Sequence, residues 1–121
     1  MRRGLATAVV LLCTLATSTA CGDDSGDDNG GGEDATATIE VTFSGDTVTP
    51  SGERVEVAAG QPIDLVVTAD APGSIHVHSD PEQEFDYAAG TETIKLEISR
   101  PGVVEVESHE LEMIIVQLEV S

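Results

Sequence analysis

From residue 38 to residue 120 apolar and polar positions alternate. "TIEVTF" (38–43) sets Ile39, Val41 and Phe43 against polar neighbours, and "RVEVA" (54–58) does so with Val55 and Val57. "IDLVV" (63–67) puts Ile63, Leu65 and Val67 on one face, and "SIHVHS" (74–79) puts Ile75 and Val77 there. "ETIKLEIS" (92–99), "VVEVES" (103–108) and "MIIVQLEV" (113–120) repeat the pattern, the last with Ile114, Val116, Leu118 and Val120. A period of two sends successive side chains to opposite faces of a strand, so each run predicts a strand with one face in a core. Turn signals separate the runs: "SGD", "PSG", "AAGQP", "DAPG", "AAGT" and "SRPG". "DPEQEFDYAAG" (80–90) reads as a connection with a short helical turn after Pro81. Seven short strands with regular turns predict an all-β fold, a Greek-key β-sandwich, over residues 38–121. Its core is aliphatic: the only aromatic residues are Phe43, Phe85 and Tyr87.

The chain before residue 38 follows other rules. Arg2 and Arg3 precede the apolar run "GLATAVVLLCTLAT" (4–17), and "STAC" (18–21) closes it with small residues. That is the layout of an export signal over residues 1–20, too short for a comfortable membrane span. "CGDDSGDDNGGGEDATA" (21–37) has no apolar residue between Cys21 and Ala35. It cannot bury a core and predicts a flexible tether. The arrangement resembles a bacterial lipoprotein signal, which implies that Cys21 carries lipid and anchors the chain to a membrane. In that pattern a Leu usually stands three residues before the cysteine, whereas here Ser18 does. The same residues fit ordinary cleavage after Ala20, leaving a soluble protein. Either route predicts an exported protein, placed in the periplasm or on the outer face of the plasma membrane.

The formal charge of the 121-residue chain is -18. Such a surface repels nucleic acid and anionic lipid headgroups, and attracts cations or a basic protein partner. Cys13 and Cys21 are the only cysteines. The predicted domain therefore holds neither a disulfide nor a thiolate ligand.

His76 and His78 alternate on a strand and so share a face, opposite Ile75 and Val77. Glu105, Glu107 and His109 share a face opposite Val104 and Val106. Imidazole and carboxylate suit Cu(II) or Zn(II), and a thioether adds preference for Cu(I). The bland reading is a solvated acidic face, with Met113 packing beside Leu111 and Ile115. No Ser-His-Asp arrangement or singled-out acid pair points to catalysis, and the expectation is a protein that is not an enzyme.

The order of these elements resembles the cupredoxin-like domain. "VAAGQPIDLVV" (57–67), the histidine-bearing strand at 75–79, "GTETIKLEI" (90–98), the Pro101-Gly102 turn and a final hairpin carrying "HELEM" (109–113) follow one another as in that family. The resemblance implies a metal site in which His76 or His78 is the first histidine, His109 the second and Met113 the methionine. It also brings the two histidine regions together at one end of the sandwich, so that His76, His78, His109, Glu107 and Met113 converge. Blue-copper members add a cysteine a few residues before the second histidine. Here Val104, Glu105, Val106 and Glu107 stand there, so thiolate-based electron transfer does not carry over. Two functions follow: a membrane-tethered module binding copper or zinc, or an acidic sandwich without metal that serves as a protein-interaction or structural module.

Overall fold

The computed structural model describes residues 35–121. The expected signal segment, most of the tether and Cys21 lie outside them. Nine strands build two facing sheets. They are β1 (Ala37–Ser44), β2 (Thr47–Thr49), β3 (Glu53–Val57), β4 (Pro62–Ala69), β5 (Gly73–Val77), β6 (Gln83–Tyr87), β7 (Gly90–Glu97), β8 (Gly102–Ser108) and β9 (Met113–Val120). One sheet runs β2-β1-β4-β7, and the other β3-β9-β8-β5-β6. β1 lies parallel to β4 and β3 parallel to β9, and the remaining pairs are antiparallel. No helix occurs among the described residues.

The alternation decides what is buried. Ile39, Val41 and Phe43 of β1 lie beside Ile63, Leu65 and Val67 of β4 on the inner face of one sheet, and Ile75, Val77, Val104, Val106 and Leu118 close the core from the other sheet. Phe43 stacks on Tyr87 with ring centroids 4.8 Å apart. Removing this apolar area from water is the main force holding the sheets together.

The expectation departs from the structure in three places. The expected seven strands are nine, because β2 and β6 are added. Residues 83–87, expected in a connection with a helical turn, form β6 along the edge of β5. Phe85 packs against the core and Tyr87 is buried, while Glu84 and Asp86 point outward, so the edge strand obeys the same alternation. The parity of β9 also changes midway. Val106 pairs with Val116 but Glu107 pairs with Ile114, so Ile115 is an extra residue at a bulge. A bulge inverts the faces on one side of it. Ile114, expected in the core, pairs with the outward Glu107, whereas Ile115 is fully buried.

Candidate metal centre

The β5–β8 pairing brings most of the expected site residues onto the outer face of the five-stranded sheet. His76 sits on β5, opposite Glu84 of β6 on one side and Glu107 of β8 on the other. It is half-buried, and its Nε2 lies 3.2 Å from Glu84 Oε2. His78 follows the end of β5, and its N–H continues the ladder by donating to the Glu105 carbonyl at 2.9 Å. Its ring stands edge-on to that of His76, centroids 5.9 Å apart. His109 begins the β8–β9 turn, and its ring centroid lies 5.6 Å from that of His76. The chain's other two histidines thus both adjoin His76.

Carboxylates surround them. His78 Nδ1 lies 3.0 Å from Glu82 Oε1, and His78 Nε2 lies 2.9 Å from Glu107 Oε2. Only the imidazolium has a proton at both nitrogens, so these two contacts favour the charged ring. The pKa of His78 is raised: the Glu107 hydrogen bond is the largest cause, burial opposes it, and the charges of Glu82, Glu107 and Glu105 add to it. Glu110, next to His109, shows the opposite balance. Desolvation raises the pKa of its carboxyl, but hydrogen bonds from Ser74 and from its own N–H, with the charge of His109, leave it lowered.

The same geometry suits a cation. One ligand atom each from His76, His78 and Glu82 lie within 4.8 Å of one another. An ion with bonds of about 2.0–2.2 Å holds its ligand atoms roughly 3 to 4.4 Å apart. The set therefore lies at or just beyond that range, with the exposed Glu82 the ligand freest to move. The donors are imidazole nitrogen and carboxylate oxygen. They fit Cu(II) or Zn(II), and they do not fit the copper–thiolate centre of a blue-copper site, since residues 35–121 contain no cysteine.

One expected residue stands apart from this picture. Met113 pairs with the buried Ser108 on the inner side of the bulge and packs against the core, whereas Glu107 and the histidines face outward. Glu82 and Glu84 belong to the cluster although the strand pattern alone passes over them. The signal was present, because Glu82 stands four residues after His78 and "QEFDY" alternates.

No known family matches the sequence, and no curated protein is detectably similar to it. The structure, however, is similar to solved cupredoxins. Auracyanin A, a "blue" copper protein from Chloroflexus aurantiacus, aligns with a TM-score of 0.55 at 12% identity over 72% of this chain and 100% of its own. Reduced auracyanin from Roseiflexus castenholzii aligns at 0.51 and 15% identity, over 72% and 98% of the two chains. A purple cupredoxin from Nitrosopumilus maritimus aligns at 0.51 and 16% identity, over 70% and 99%. At this identity the likeness is one of fold, and the fold is a cupredoxin-like β-sandwich.

Proposed function

We propose that this chain is an exported, lipid-anchored binding module, without catalytic activity of its own, that takes up Cu(II) or Zn(II) outside the membrane. The observation carrying this reading is the convergence of His76, His78 and His109 on one face with Glu82 and Glu107 beside them. His76 and His78 with Glu82 are the nearest-set ligands. Glu107 and Glu84 each contact one of the rings and either orient it or complete the coordination. Met113, on the core side of the hairpin, is a ligand only if the turn rearranges. The ion would supply a Lewis-acidic positive charge among groups that are otherwise mutually repelling carboxylates. Fold likeness to auracyanin and a purple cupredoxin supports copper, and the missing thiolate restricts the site to nitrogen and oxygen chemistry. The lipid anchor and the location rest on the signal-like segment ending at Cys21.

A second reading has its own observation. His78 between Glu82 and Glu107 is already satisfied as an imidazolium, so the cluster is complete without an ion. On that reading the acidic sandwich docks to a basic protein. Metal retention separates the two. The purified chain, with Cys13 and Cys21 replaced by Ser to remove thiols, is loaded with Cu(II) or Zn(II), dialysed and assayed for metal. One ion retained per chain supports the first reading, and none supports the second.

A further inference from the structure

His109 is held in place by an arrangement that the ligand set does not use. The turn between β8 and β9, residues 109–112, folds back over the start of β5. There the His109 N–H donates to the Ser74 carbonyl at 3.1 Å. The next residue reverses the polarity: Glu110 Oε2 accepts the Ser74 N–H at 2.9 Å, and Oε1 accepts the Ser74 hydroxyl at 3.3 Å. One strand residue thus grips two successive residues of the turn. Space for the carboxylate exists because residue 73 is glycine. A Cβ there would lie 2.7 Å from Glu110 Oε2 and closer still to the Tyr87 hydroxyl. Tyr87 is buried and stacked on Phe43, so it cannot yield easily.

Ser74 and His76 lie two apart on β5 and share its outer face. Fixing the turn to Ser74 therefore fixes how far His109 reaches along the strand toward His76, and the two rings sit 5.6 Å apart at 52°. Beyond the grip on Ser74, the turn is tied at Leu111, whose N–H donates to the buried Ser108 hydroxyl at 3.3 Å and whose side chain packs against the core. Within the turn Glu112 holds a left-handed φ of 52°, a conformation that costs a non-glycine residue energy and does not persist without restraint.

From this geometry we infer that Glu110, seated in the notch left by Gly73, is a positioning residue that presents His109 to His76 and so turns a two-imidazole site into a three-imidazole one. The inference rests on the metal-binding reading above for its consequence, but the positioning itself is a property of the metal-free protein.

Two measurements on the full chain test it. The first is a nuclear Overhauser contact between the rings of His76 and His109 without metal. The second is Cu(II) affinity, with the number of nitrogen couplings in the electron spin resonance spectrum. Glu110→Ala is expected to abolish the ring contact, remove one coupled nitrogen and weaken Cu(II) binding about 10- to 100-fold, the usual cost of losing a group that orients a ligand. Glu110→Gln keeps a carbonyl acceptor for the Ser74 N–H and is expected to stay close to wild type. Gly73→Ala fills the notch and should behave like Glu110→Ala. Val41→Ala, which opens a hole in the opposite sheet, should lower stability and leave both readouts unchanged. An undiminished His76–His109 contact in Glu110→Ala overturns the inference. If the wild type retains no copper, the metal reading fails, and the metal-free ring contact still decides the positioning.

Discussion

Replacing His78 by alanine distinguishes a metal ligand from a surface ion pair, because the two roles differ in magnitude. The His78 side chain is 38% exposed, and its partners Glu82 and Glu107 are 58% and 33% exposed. Ion pairs so wet contribute about 0–1 kcal/mol each. Without metal, His78→Ala should therefore cost less than about 2 kcal/mol in total. With metal the comparison changes. An ion at a hundred times its dissociation constant stabilises the folded state by about 2.7 kcal/mol. For a domain of this size that raises the melting temperature by about 10–20 °C. Losing one of three strong ligands weakens binding by about 100-fold or more. At the same metal concentration the variant then sits near its own dissociation constant, and only about 0.4 kcal/mol of metal stabilisation remains. The assay is thermal unfolding of each protein with and without Cu(II), taking the difference within each protein so that the metal-free cost cancels. Glu40→Gln, on the outer face of the other sheet, is the control. Wild type should gain more than 10 °C (about the lower bound above), His78→Ala only a few degrees, and Glu40→Gln as much as wild type. An equal metal-induced gain in His78→Ala and Glu40→Gln would refute the ligand role.

Further expectations follow from other parts of the molecule. The Cu(II)-loaded, thiol-free protein should be pale and show an ordinary copper hyperfine splitting, because an intense blue band requires a thiolate; such a band would show that the site is misread. The His78 ring should titrate above the ordinary value near 6.5, since Glu107, then Glu82 and Glu105, favour its charged form. Its pairing therefore contributes stability fully below that ordinary value, and the contribution disappears as pH rises through the higher folded value. Glu107→Gln should bring the midpoint, followed by nuclear magnetic resonance, back down; an unmoved midpoint contradicts the assigned cause. Leu65→Ala, at a fully buried position of β4, should cost about 2–5 kcal/mol by leaving a cavity, measured by denaturant unfolding, and a loss under 1 kcal/mol would mean the core is looser than described. If Cys21 carries lipid, Cys21→Ala should shift the protein from the membrane fraction to the soluble one, and a wild type found wholly soluble removes the anchor.

The alternation of Ile39, Val41 and Phe43, of Ile63, Leu65 and Val67, and of Val104 and Val106 demands sheets with one covered face, and with seven such short segments and no helical period a sandwich is the natural way to cover them. The same parity already placed His76 and His78 on one outer face and Glu107 with His109 on another, and the absence of cysteine from residues 35–121 already excluded a thiolate centre. Strand β6 was less legible. Pro81 and four acids among residues 80–86 look like a loop, and only pairing with β5 along its free edge makes the segment a strand. With β6 came Glu84, whose approach to His76 depends on that pairing. The face of Met113 was likewise undecidable from spacing, because a single extra residue at Ile115 inverts everything on one side of it and a bulge leaves no mark in an apolar run such as "MIIV". The grip of Ser74 on His109 and Glu110 joins residues more than thirty positions apart, and the Gly73 notch has meaning only once Tyr87 and Glu110 lie against it. Period-two burial is a property of each segment separately and is written in the chain; register, bulges and edge pairing are properties of two segments at once, and only the tertiary structure decides them.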